Sequence, residues 1–302
     1  MKKIIFVSVV FLSQCVFGQE LMNLVSNNEV SVISYWNNEE RVSFTCTKVE
    51  KVYKNGKKKP KTEKTKKYKL ALSIIDSTEH SYTIQMTYSD FSGIENEQEE
   101  MCNSALTQLS IKYVTDEFGA YDSIVNKNEL QASMKQVIDA LYKTVSDTSS
   151  IGHLRDLFLN EDNLEALFVS DIITIHNFYG VGLELSKPID YELEFLTLGN
   201  YMLEGEGKIT LLSIDKTRDL ARISSTQKPN KGKTGEYLNY LMNLLAPGEE
   251  IDDFKVSNRV TQSYEMELSS GWMTKIKSKS VSKVNYDGKS IKTEIVNTFI
   301  LN

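Results

Sequence analysis

The chain is poor in the residues that carry most enzyme and metal chemistry. Its only histidines are His80, His153 and His176, and its only cysteines are Cys15, Cys46 and Cys102. None of them forms HExxH or a Cys/His pair at metal spacing, so neither a metal nor a cofactor is expected. No GxSxG elbow occurs, and no nucleophile, base and orienting acid can be named from spacing. Triads whose members converge only in the fold leave no such trace. Long hydrophobic runs are missing too. The apolar run from Ile4 to Leu12 is far short of the roughly 20 residues that span a bilayer, and no second stretch follows, so the chain is not expected to be transmembrane. Basic charge is in deficit, 35 Lys and Arg against 41 Asp and Glu. That balance argues against a nucleic-acid partner, whose binding rests on neutralised phosphates.

What is present begins with MKKIIFVSVVFLSQCVFG, residues 1–18. Lys2 and Lys3 precede the apolar run and small Gly18 stands at a cleavage position, which reads as a secretory signal peptide. The expected location is the periplasm or the extracellular space. LSQC also resembles a lipoprotein signal that would make Cys15 a lipidated first residue, although Gln14 stands where that signal wants a small side chain. Cleavage after Gly18 leaves Cys46 and Cys102, two thiols able to pair in an oxidising compartment. It also removes two of the 35 basic residues against 41 acidic ones, for a net charge of −8.

Apolar and polar residues alternate in many segments, the pattern of strands with one buried face. Val42, Phe44 and Cys46 alternate, then Leu70, Leu72 and Ile74, then Tyr82 to Tyr88, then Leu109, Ile111 and Tyr113. The pattern returns in Tyr191, Leu193 and Phe195, in Tyr264, Met266 and Leu268, and from Ile291 to Leu301. Asn55-Gly56 and Asp287-Gly288 predict tight hairpins. Helical periodicity interrupts the strands. Asn128 is placed to cap a helix carrying Leu130, Met134, Val137, Ile138 and Leu141. A second helix starts near 160–163, carries Leu164, Leu167, Phe168 and Ile172, and ends at Gly180. A third runs from about Thr234 to Leu245 and stops at Pro247-Gly248.

The fold class is therefore α+β: curved antiparallel sheets packed against a mid-chain helical segment. The expected organisation is a signal peptide at 1–18, an N-terminal sheet half at 19–126, helices at 127–180, and a C-terminal sheet half at 181–302 with a short helix near 234–245. The halves echo each other. SIIDSTEHSYTI (73–84) matches LSIDKTRDLARI (212–223) at Ile75/Ile214, Asp76/Asp215, Thr78/Thr217 and Ile84/Ile223, and EFGAY (117–121) and SSGWM (269–273) each place an aromatic beside a turn glycine. Hairpins share such residues for turn reasons alone; a true duplication would make two pseudo-repeated halves.

The conspicuous local anomaly is KNGKKKPKTEKTKKYK, residues 54–69. Lys57, Lys58, Lys59, Lys61, Lys64, Lys66 and Lys67 form a patch suited to an anionic partner. The simpler reading is a solvated hairpin whose lysines block edge pairing. Gly232-Lys233-Thr234 lacks the upstream glycine of a phosphate-binding loop, having Gln227 there. The acids Glu249, Glu250, Asp252 and Asp253 lack calcium-loop spacing and read as a solvated turn. His176, near a helix end, is placed where a partly positive imidazole suits the helix dipole. Aromatics such as Tyr35, Trp36, Tyr88 and Trp272 read as core.

The leader, the lysine-tipped hairpin, SIIDSTEHSYTIQMTY, YVTDEFGAYDSI running into a helix, and the ending SVSKVNYDGKSIKTEIV together resemble an uncharacterised family of exported, hairpin-rich bacterial proteins. The resemblance implies a curved sheet around helices, similar to periplasmic lipoprotein carriers, and brings no catalytic motif. The reading that follows is a non-enzymatic cell-envelope binding or carrier protein for a lipid or acyl-bearing ligand. The alternative is a surface protein that binds a protein or glycan partner through its hairpins; a hydrolase is the third choice.

Overall fold

The computed structural model describes residues 26, 28–144, 161–197, 201–245, 255–286 and 289–302. The leader with Cys15, and His153, Pro247-Gly248, the acids at 249–253 and the Asp287-Gly288 turn lie outside the described residues. In chain order the elements are β1 (Glu29–Val32), β2 (Arg41–Lys54), β3 (Thr62–Ser77), β4 (Ser81–Ser92), α1 (Glu97–Gln108), β5 (Ser110–Asp116), β6 (Tyr121–Ile124), α2 (Lys127–Thr144), α3 (Glu161–His176), β7 (Val181–Glu184), β8 (Ile189–Thr197), β9 (Tyr201–Asp215), β10 (Leu220–Pro229), α4 (Lys231–Leu245), β11 (Lys255–Glu267), β12 (Met273–Tyr286) and β13 (Lys289–Leu301).

Eleven strands form one antiparallel sheet in the order β6-β5-β4-β3-β2-β13-β12-β11-β10-β9-β8, and β1 pairs with β7 in a separate ribbon. The expected two sheet halves are thus continuous through β2 and β13, where Cys46 faces Phe299. Alternation explains which face is buried. Phe44 and Cys46, Leu70 to Ile74, Ile84 and Met86, and Ile111 and Tyr113 from one half join Leu211, Ile223, Tyr264, Ile276 and Phe299 from the other in a single core. Helix α3 packs against both edge strands, β6 and β8, and against central β12. A sheet whose two edges touch one helix must curl around it, which is the curvature expected from sequence.

Local chemistry sets the helix ends. Asn96 caps α1 by accepting from the Glu99 backbone N–H at 2.9 Å, an Asn-x-x-Glu start that the sequence reading missed. Helix α2 begins at Lys127, one residue before the expected cap. Asn126, not Asn128, precedes it, giving its carbonyl to Leu130 N–H and its side chain to Lys112 N–H and Ser110 O of β5. Asn230 precedes α4 and accepts from the Gly232 and Lys233 amides, so the glycine-lysine-threonine sequence is an ordinary first helical turn. Leu109 is the cap of α1 rather than part of β5.

The order of four strands, one helix and two strands occurs twice, as β1 to β6 with α1 and as β7 to β12 with α4. Both runs lie in the sheet in the same sense, separated by β13. The echoed segments fall on equivalent hairpins, β3–β4 and β9–β10, and Ile84 and Ile223 are both buried. The glycine turns are equivalent as well. Ser34 N–H donates to Phe118 O and Tyr35 N–H to Ser270 O, so the chain after β1 is held by the residue before each glycine. From the end of α3, His176 Nδ1–H donates to Gly119 O at 2.8 Å, and Tyr179 hydroxyl donates to Gly271 O at 2.6 Å. Both glycines have positive φ, 97° and 74°. A Cβ at Gly271 would lie 2.0 Å from Ile33 O and one at Gly119 2.8 Å from the Tyr179 ring.

His176 corrects the sequence reading. It does stand at a helix end, but not as a partly positive group; it is 2% exposed, and its Nε2 accepts from Tyr113 hydroxyl at 2.8 Å. Burial pushes its pKa down to about 4. It stands beside Trp36, which stacks on Trp272 at 4.3 Å.

Two outcomes follow. The unfolded chain protonates His176 near pH 6.5 while the native ring stays neutral to about pH 4, so the native state binds fewer protons in that window and its stability falls on acidification. The loss is about 1.4 kcal/mol per pH unit, roughly 3 kcal/mol in all. Urea unfolding of the wild type and His176→Asn should show the wild-type advantage shrinking as pH drops through this range. Gly271→Ala should destabilise by about 3 kcal/mol or more through strain at positive φ and the Ile33 clash, whereas Gly182→Ala, with nothing within 4 Å, should be near neutral.

Candidate ligand-binding face

The inner face of the sheet changes character along its strands. One strand-crossing row is apolar and buried: Ile223, Tyr264, Ile276, Phe299 and Cys46 are aligned neighbours on β10, β11, β12, β13 and β2, each at most 1% exposed. Two residues further along, the aligned row is polar. It reads Ser225, Gln262, Ser278, Asn297, Lys48 and Lys66 from β10 to β3. Beyond it, toward the hairpin tips, Val52, Ile291, Ile295, Val284 and Val256 share the same face and are only half-buried.

The polar row is anchored at its ends and open in its middle. Gln262 accepts from Ser225 hydroxyl at 3.0 Å and from the Asn177 amide at 3.2 Å. At the other end Lys66 Nζ donates to Asn103 of α1 at 3.5 Å. Between them, Asn297 Oδ1 is buried without a hydrogen-bond partner among the described residues, as is Asn103 Nδ2. Lys48 and Lys66 are directly opposed across β2 and β3, a like-charge pair that is unfavourable without an anion near it. The acids facing them are Asp171 on α3, whose charge interacts with Lys48, and Glu50 in the next row opposite Lys64.

Asp171 ties α3 to the sheet. Its Oδ2 accepts from Tyr68 hydroxyl at 3.0 Å and Tyr88 hydroxyl at 3.2 Å. Desolvation raises its pKa, opposed by those two hydrogen bonds. The same surroundings raise the Cys46 thiol, through burial first and the Asp171 charge second, and push the Tyr68 phenol up for the same two reasons. A thiol and phenols held this firmly in their neutral forms are poor nucleophiles and bases.

The residues singled out from sequence are dispersed. Cys46 and Cys102, able to pair by number alone, are both free; one is buried in β2 and the other exposed on α1, so they are not bridged. Lys57, Lys58, Lys59 and Lys61 are exposed at the β2–β3 turn, where Asn55 and Gly56 both adopt positive φ. Lys64 pairs with Glu95 and Glu99, Lys66 joins the polar row, and Lys67 points to the opposite, outer face. The seven lysines therefore do not form one patch. His80 is exposed in the β3–β4 turn. The polar row was not found from sequence because its members lie on six strands; the one available signal was the serine alternation of Ser278, Ser280 and Ser282. A separate open cleft of about 490 Å³ is lined by polar residues including Tyr35, Asn37, Glu40 and Ser270. Of its two acids, Glu39 and Glu40, Glu40 is engaged, accepting from Trp272 Nε1 at 2.6 Å and Asn37 N–H at 2.8 Å. Among the described residues no group of three His, Cys, Asp or Glu is placed to hold a metal ion, and no helix is long and apolar enough to cross a membrane.

Replacing Asp171 by Leu strands two phenol donors and should cost about 2 kcal/mol or more, while Asp171→Asn, which keeps an acceptor, should cost about half as much. Urea midpoints of the two variants check this.

No family model matches the chain, and no curated protein sequence matches it. Among solved structures, a lipovitellin described for its lipid–protein interactions overlays 88% of this chain with 9% identity and a TM-score of 0.44. The chain spans about a quarter of that protein's length, 25%. Ail, the attachment invasion locus protein of Yersinia pestis, matches in a complex with the heparin analogue sucrose octasulfate at 4% identity and a TM-score of 0.15. Each Ail chain is covered completely, the second at 6% identity and a TM-score of 0.16. Overlaps this loose carry no argument about function.

Proposed function

We propose that the protein is a non-enzymatic binding or carrier protein of the cell envelope for an acyl-bearing ligand, held on the inner face of the sheet near the hairpin tips. The observation that supports the reading is the set of half-buried apolar residues Val52, Ile291, Ile295, Val284 and Val256 beyond the polar row, interspersed on the same face with Thr293, Ser280 and Ser282. An acyl chain on this discontinuous strip removes apolar surface from water at about 25 cal/mol per Å². The headgroup then meets Lys48, Lys66 and Asn297, whose side-chain oxygen is the member of the row left without a partner among the described residues. Helix α1 packs on β4 and α4 on β9 and β11, flanking the strip as walls. The signal peptide read in residues 1–18 supplies the setting, a compartment in which acyl chains must cross water.

Purified protein should yield a bound acyl compound on solvent extraction, and cis-parinaric acid should gain fluorescence when added to stripped protein. Ile295→Asp places a carboxylate in the strip and should weaken that probe about tenfold or more. Unchanged probe affinity in this variant, with its fold intact by circular dichroism, would overturn the reading.

A further inference from the structure

The hairpin tips add to the apolar residues of the carrier reading a feature that this reading does not require, a cluster of lysines. The β2–β3 tip carries Lys57, Lys58, Lys59 and Lys61, all exposed and without ion pairs among the described residues. The neighbouring tip of β12 and β13 is fastened to it, Asn55 N–H donating to Ser290 O at 2.7 Å and Ser290 N–H to Asn55 Oδ1 at 3.3 Å. Lys283 of β12 and Lys255 of β11 stand exposed at the same end. Of the acids described there, Glu50 lies opposite Lys64 on the inner face. Glu63 holds Lys51 at 2.9 Å, and Glu294 holds Lys279 at 3.0 Å and Lys292 at 3.3 Å. In a chain with a net charge of −6, this is a local excess of positive charge. Directly behind it lie Val52, Ile291 and Val284, half-buried on the inner face.

We infer that the joined tips form a docking surface for an anionic lipid bilayer. Lysines at the rim are attracted to anionic headgroups, and apolar residues behind them gain from contact with the acyl boundary; each contribution alone is weak and the two together give stable interfacial binding. An acidic protein or a soluble glycan would use the lysines and leave the apolar residues idle. The orientation brings the open end of the acyl strip to the membrane, so the inference rests on the carrier reading for its purpose though not for its chemistry.

The test uses the chain from Gln19 onward and sedimentation with two kinds of vesicle, phosphatidylcholine alone and equal parts phosphatidylcholine and phosphatidylglycerol. Wild-type protein should sediment with the anionic vesicles only and be released by salt. The combined variant Lys57→Gln, Lys58→Gln, Lys59→Gln, Lys61→Gln, all in an exposed turn, should lose on the order of 100-fold in partitioning while keeping cis-parinaric acid binding. A separate variant, Val52→Ser with Ile291→Ser, should weaken partitioning with the lysines intact. Equal binding of wild type to both vesicles, equal binding of the lysine variant, or retention on immobilised heparin without vesicle binding would each overturn the docking surface. Failure to bind cis-parinaric acid with vesicle binding intact would overturn the carrier reading alone.

Discussion

The structure depends on two hydrogen bonds made by the end of α3. His176 and Tyr179 reach in different directions to the carbonyls of Gly119 and Gly271, the equivalent turns of the two repeated units. Neither turn is held by its own hairpin alone, and both also take an amide from the chain after β1. One helix end and one extended segment therefore fix the distance between two halves of a sheet eleven strands wide. Open sheets of that width otherwise curl or split. The requirement explains why His176 must stay neutral. Its Nδ1 donates and its Nε2 accepts, and a second proton would break the bond from Tyr113 inside a core without water to compensate.

Given that clamp, the inner face divides by what lies over it. Near the glycine turns, Trp36, Trp272, Tyr179 and His176 pack ring on ring. The next row is apolar and sealed by α3. One pleat further, polarity appears in six neighbouring strands at once, and it appears where Asp171 and Asn177 leave α3 to meet Tyr68, Tyr88 and Gln262. Burying serine, glutamine and asparagine costs free energy unless each finds a partner. At Gln262 the side-chain oxygen is met from within the protein, and at Asn297 it has no partner among the described residues. The unmet groups lie at the seam of the sheet, next to the opposed lysines of β2 and β3.

The legible part of the fold was the part in which one face is apolar and the other is not. Strands β2 to β5 and β13 alternate cleanly, so their faces and their hairpins could be read directly, as could α3 and α4 from their periodic leucines and phenylalanines. Strand β12 escaped because lysines line its outer face and serines its inner one, leaving Ile276 and Val284 too far apart to form a pattern. Helix α1 escaped because EQEEMCNSALTQ has hardly any apolar face; its start is set by the Asn96 cap. The fate of Cys46 and Cys102 was a question of side-chain direction in three dimensions, which pairing arithmetic does not contain. The polar row has a long-range origin of the same kind. Each member is an unremarkable polar residue in its own strand, and only the register of five strand pairs brings them into line.

The repeat also accounts for where the open strip falls. Each unit brings its own helix, α1 or α4, to cover its own strands, and β13 belongs to neither unit. It is inserted between β2 and β12 and carries Ile291, Ile295 and Asn297 inward at the place where neither repeat helix has its own strands to cover. An extra strand at a junction widens the sheet without adding a helix, so inner surface is gained at the tips while the clamp at the glycine turns keeps the other end closed. Ligand sites favour such junctions because the two sides can diverge without disturbing either core. The tip end of this sheet thus combines a rigid floor, two helical walls and unsatisfied polar groups without any of these having to be built into a single repeat.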